Sequence, residues 1–83
     1  MFNFSANHMI WVSSKNYGKA IVHFLTDLDT KRCYRVYDYQ RSAQFQADKV
    51  YCISGKVNSA DKLYLILESS REVTYNSVFK VHA

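Results

Sequence analysis

Eighty-three residues leave room for one small hydrophobic core and exclude a multi-domain protein. Hydrophobic residues make up 48% of the chain, enough to close a core without metals or a set of disulfides, and seven tyrosines with five phenylalanines favour extended structure, because rings pack well on a pleated surface. Eleven Lys and Arg against seven Asp and Glu give a net charge of +4, a lean that favours polyanionic partners without requiring them.

Proline is absent and glycine occurs only at positions 18 and 55, so element boundaries have to come from polar clusters. Phe2 and Phe4 open the chain in a short polar-flanked stretch, either tucked onto the domain or offered to a partner. Residues 8–14 (HMIWVSS) read as a first strand, with Trp11 in the core or facing a partner. Residues 15–19 (KNYGK) form a turn in which Gly18 supplies the positive φ that turns often need. Residues 20–26 (AIVHFLT) are a second strand. The stretch 27–30 (DLDT) turns because Asp and Thr side chains bond nearby backbone N–H groups, so Asp27 and Asp29 read as caps rather than a catalytic carboxylate pair. Residues 31–39 (KRCYRVYDY) make a third strand.

Residues 40–48 (QRSAQFQAD) lack β-branched side chains and fit a short helix opened by Ser42 or an irregular connection, although Ala43, Phe45 and Ala47 recur at the period of a strand. Residues 49–58 (KVYCISGKVN) are a strand interrupted by Gly55, and a glycine there marks a bulge or bend that lets a sheet curl. Residues 58–61 turn the chain into a fifth strand at 62–68, and 71–81 alternate loosely as a sixth that would cover a sheet edge. With no repeat, linker or low-complexity tract, 1–83 is one domain.

Cys33 and Cys52 fall in strand interiors without the spacing of a zinc or redox pair, so they read as buried reduced thiols, or as a disulfide if their strands are neighbours. No apolar run reaches a membrane span and the start lacks a secretion signal, so the expectation is a soluble, intracellular protein of cytoplasm or nucleus with no membrane partner. His8, His23 and His82 are scattered, and two isolated glycines make neither a phosphate loop nor a nucleophile elbow. The sequence thus offers no metal site, no cofactor and no catalytic set.

Three strands, a short connection and two more strands is the order of the OB fold, a small five-stranded Greek-key barrel. Residues 20–37 (AIVHFLTDLDTKRCYRVY) resemble the second and third strands of the anticodon-binding type of OB domain, and 48–67 (DKVYCISGKVNSADKLYLIL) resemble its fourth strand, glycine, turn and fifth strand. The resemblance spans about residues 10–68 and departs from the pattern at Asp48 and in a first strand without glycine. It implies an all-β barrel whose second and third strands carry the ligand surface.

Alternation on the third strand turns Tyr34 and Val36 inward and Lys31, Arg35, Tyr37 and Tyr39 outward. Cations and rings along one strand suit single-stranded DNA or RNA, because every base has a π-face and every nucleotide a charge. Arg41 extends the patch; the family's ligand surface would add His23, with Lys15, Lys19, Lys62 and Tyr64 flanking the groove. Taken singly, each is an ordinary strand residue or solvated charge; together they point to a non-catalytic single-strand-binding protein of low sequence specificity. The alternative is a small interaction barrel, a subunit or viral-type modulator, that docks the same Tyr and Arg surface on a larger protein complex. An open sheet edge would also let two copies pair as a homodimer.

Overall fold

A computed structural model describes residues 1–58, 60 and 63–74 and shows an all-β protein. Its strands are β1 (Phe2–Asn16), β2 (Ile21–Asp27), β3 (Cys33–Asp38), β4 (Val50–Val57) and β5 (Tyr64–Val73). They close into a barrel in the order β1-β2-β3-β5-β4, with β4 returning to β1. Every neighbouring pair is antiparallel except β3–β5, which is parallel. A parallel pair needs a crossover, and residues 40–48 carry the chain away from β3 so that β4 can form on the far side of β5.

The interior is filled by the inward residues of alternating strands: Ala6 and Met9 of β1, Leu25 of β2, Tyr34 and Val36 of β3, Tyr51 and Ile53 of β4, Leu65 and Leu67 of β5. On β4 the alternation of half-buried and buried positions is unbroken from Val50 to Val57. β1 begins six residues earlier than the sequence suggests, and F-N-F-S-A-N is itself an alternating run whose Phe4 packs on Tyr34 at 5.1 Å between ring centroids. Its first half pairs with β4 and its second half with β2, and register shifts at Ala6/Met9 and Trp11/Ser13 bend it from one neighbour to the other. That bend closes the barrel.

Gly55 provides the second device. The register shifts between Ser54 and Gly55, leaving Glu68 as the extra residue on β5, and a Cβ at Gly55 would overlap the Ile66 carbonyl oxygen. Only glycine permits that approach of backbone to backbone. Asp27 caps the β2–β3 turn as expected: its Oδ1 accepts the Asp29 N–H at 2.9 Å and its carbonyl accepts the Lys31 N–H at 2.7 Å.

Of the two readings of residues 40–48, the irregular connection holds and the helix does not: they plug one barrel end, where the buried Asp38 carboxylate accepts the Ser42 and Ala43 N–H groups at 3.4 and 3.0 Å and Phe45 sits edge-on to Tyr51 at 4.8 Å. These two bonds stand in for helical ones, so Asp38 and not Ser42 organises the segment. Other expectations are corrected. β5 runs unbroken to Val73, which absorbs the start of the expected sixth strand; 75–83, with His82, lie outside the described residues. Cys33 is exposed and Cys52 half-buried, both free, because each alternates with inward neighbours and β5 stands between their strands. Buried thiols and a disulfide are both excluded in this fold.

Candidate nucleic-acid interface

β3 alternates strictly, burying Tyr34, Val36 and Asp38 and turning Arg35 and Tyr37 outward. Register carries the outer face across its neighbours: Phe24 of β2 and Tyr64 of β5 stand beside Arg35, and Val22 and Ile66 stand beside Tyr37. The rings interlock. Tyr37 stacks on Tyr64 at 4.0 Å with 13° between planes, Tyr39 lies 6.3 Å from Tyr37, and the Tyr39 and Tyr64 hydroxyls hydrogen-bond at 3.2 Å. The Arg35 guanidinium lies 6.0 Å from the centre of the Tyr64 ring. Val22 belongs to this outer layer and not to the interior cluster, yet is only 1% exposed, so the barrel has a second, smaller apolar layer roofed by aromatic side chains.

The bond to Tyr39, with desolvation next, pushes the Tyr64 hydroxyl up to about 12. Beside the rings lies a cleft of about 250 Å³ lined by Tyr17, Lys19, Ala20, Tyr37 and Tyr39. Tyr17 and Tyr39 are its exposed rings, at 57% and 47%. Lys15 places its Nζ 5.3 Å from the Tyr17 ring. The tight β1–β2 turn that presents Tyr17 and Lys19 depends on Gly18 at φ 84°.

Arg35, Tyr37, Tyr39 and Tyr64 therefore meet as one cluster, with Lys15 at the end of β1 and Lys19 on the turn beside it. Lys31 does not join them. β3 begins only at Cys33, and Lys31 sits in the β2–β3 turn at φ 66°, six residues or ~20 Å of strand away from Tyr37. Arg41 is directed to the β1–β2 turn, where its Nη2 donates to Asn16 Oδ1 at 3.2 Å and to the Gly18 carbonyl. Lys62 lies outside the described residues.

His23 is on the opposite face from the one expected. It is 4% exposed, hydrogen-bonded to Ser14 Oγ at 2.6 Å, 3.4 Å from Asp38 Oδ2 and edge-on to Phe45 at 4.8 Å. Burial holds its pKa below the usual histidine value, outweighing the Asp38 carboxylate, which acts to raise it. The Trp11 indole N–H donates to Ser14 Oγ at 2.8 Å, so Trp11, Ser14, His23 and Asp38 form a chain ending on the amides of the plug. Serine, histidine and aspartate stand in the order of a hydrolytic triad, with the imidazole packed edge-on to Phe45 and the serine oxygen accepting the indole N–H. The arrangement suits a polar tie that fixes the barrel end.

Two residues of the face escape sequence reasoning. Phe24 replaces His23 as the outward β2 residue: Val22 to Leu25 are almost all apolar, so alternation alone carries no phase, although pairing β2 to β3 around the Asp27 turn would have supplied it. Tyr17 had a signal in its two flanking lysines, Lys15 and Lys19, at the tip of a glycine turn.

Among the described residues no group of three His, Cys, Asp or Glu converges to hold a metal, and no helix is long and apolar enough to cross a membrane. Comparison with known proteins returns no matching family model, no matching curated protein and no matching solved structure. The face itself is what bears on function.

Proposed function

We propose that the chain binds single-stranded nucleic acid, without catalysis and with little sequence preference, on the outer face of β2, β3 and β5. The observation that carries this reading is the ring cluster of Tyr37, Tyr39 and Tyr64 with Arg35 against it, beside a cleft edged by Lys19 and Tyr17, with the Lys15 ammonium near the Tyr17 ring. Tyr37 and Tyr64 already stack, so they form a fixed wall; Tyr17 and Tyr39, 57% and 47% exposed, offer free ring faces to bases. Stacking of that kind is worth ~1–3 kcal/mol per base and tolerates any base. Arg35, Lys15 and Lys19 supply the positive field along which the phosphates run.

The test is a binding titration with oligo-dT, oligo-U and a duplex control over a range of salt. The single strands should bind more tightly than duplex, and log affinity should fall with log salt by about 0.7 for each phosphate neutralised. No binding to either single strand at low salt refutes the reading, and the Tyr and Arg face then becomes a surface for a protein partner, whose affinity would depend far less on salt.

A further inference from the structure

The sequence reading places Arg41 among the phosphate contacts, and in the structure its guanidinium is bonded to the β1–β2 turn. Arg41 opens the irregular plug with a left-handed backbone, φ 56°, a conformation that side chains beyond glycine and asparagine adopt at a cost. From there it reaches the β1–β2 turn and donates to both Asn16 Oδ1 and the Gly18 carbonyl. Asn16 Oδ1 also accepts the Gly18 N–H at 2.9 Å, the Tyr17 N–H bonds the Ala20 carbonyl at 2.9 Å, and the Lys19 N–H bonds the Tyr17 carbonyl at 3.0 Å. One guanidinium thus ties the Asn16 side chain and the Gly18 peptide of a turn that carries Tyr17 and Lys19, two of the five residues lining the cleft. Tyr37 and Tyr39, on the other side of the cleft, belong to β3 and the residue just after it, two positions before Arg41.

We infer that Arg41 is a positioning residue, a latch that fastens the β1–β2 turn to the end of β3 and so sets the width of the cleft between Tyr17 and the Tyr37–Tyr39 wall. This rests on the nucleic-acid reading of the face for its consequence, the fit of a stacked base, but not for the latch itself. Arginine suits the task because the fork of two N–H groups on its Nη2 is held in the plane of the guanidinium and meets both acceptors at a fixed angle, whereas a lysine ammonium rotates freely on a flexible stem.

The experiment uses the full chain and two variants. Arg41→Lys keeps the charge and loses the fork; Arg41→Asn loses both but tolerates the left-handed backbone. Amide hydrogen exchange of the unliganded protein is read first. A latch predicts that the Tyr17 and Lys19 amides exchange roughly tenfold faster in both variants while β3 and β4 amides keep their protection. Titration with oligo-dT is read second: the latch predicts a similar loss of affinity in both variants, with the salt slope of wild type retained. If Arg41→Lys binds like wild type and only Arg41→Asn weakens, with the slope lowered by about 0.7, Arg41 is a phosphate ligand and the latch is wrong. Unchanged exchange in both variants also overturns it. Should wild type bind no oligonucleotide, the reading of the face fails, and the exchange data still decide the latch.

Discussion

β5 takes part in two close contacts that are packed by opposite means. On its β4 side, Gly55 brings backbone against the Ile66 carbonyl with no side chain between them. On its β3 side, Tyr64 meets Tyr37 ring to ring at 4.0 Å, and Tyr39 completes the layer through a hydroxyl bond. Backbone contact has no rotamer to yield with, so it sets the shape of the barrel. The ring contact lies at the surface, where it backs the exposed rings that a ligand would meet. Substitutions on the first side should therefore be felt in stability, and those on the second mainly in binding.

The sharpest way to break this contrast is Gly55→Ala. A single added methyl meets main-chain atoms on a paired strand, and the bulge has to open, so the variant should lose about 3 kcal/mol or more, read as a drop in the urea midpoint. A midpoint equal to wild type would show that the β4–β5 wall gives as readily as the ring layer. On the other side, Tyr37→Ala removes the ring that backs the exposed Tyr39 and should cost up to the worth of one stacked base, ~1–3 kcal/mol or roughly 5- to 150-fold in oligonucleotide affinity, while the salt slope stays and the fold survives. The loss of stability should be smaller than that of Gly55→Ala, because Tyr37 roofs Val22 from outside the main core. A Tyr37→Ala protein that binds normally would reduce the ring layer to a lid over Val22.

A third comparison uses pH to probe the plugged barrel end. His23 has its pKa lowered by burial, so the unfolded chain takes up the proton first. Stability is then full above about pH 6.5 and falls as pH drops from there toward the folded value. Urea midpoints at about pH 7.5 and 5.5 should show this loss, and His23→Gln should flatten it. A wild-type protein that becomes more stable over that acid step would contradict the buried placement. The smallest effect belongs to the ring layer: in Tyr39→Phe the Tyr64 hydroxyl loses its main perturbing partner, so its pKa should fall from about 12 toward ~10 in an alkaline absorbance titration. An unchanged late-titrating tyrosine would mean that the hydroxyl pair does not hold the cluster.

Much of the barrel was legible because its decisive residues have few alternatives. Gly18 and Gly55 are the only glycines, and each sits where a positive φ or a backbone approach demands one. Asp27 caps its turn, and the alternation of polar and apolar residues on β3 gave away its inner face. On β3 this also placed Arg35 and Tyr37 outside. β2 was not legible in the same way, since a run apolar on both faces hides its phase until the neighbouring strand is paired to it. The aromatic roof over Val22 is the reason such a run exists. The destinations of Lys31 and Arg41 were hidden for another reason: each lies just outside a strand with positive φ, where period two no longer says which way a side chain points.

The central claim is that the β2–β3–β5 face is the one that meets a single strand. It is tested most directly by titrating isotopically labelled protein with a short oligo-dT at low salt and following each backbone amide by NMR. The account predicts shifts that cluster on Tyr17, Lys19, Phe24, Arg35, Tyr37, Tyr39 and Tyr64 and leave the outer β4 positions around Cys52 and Ser54 still. Shifts concentrated on β4, or none at all, would contradict it.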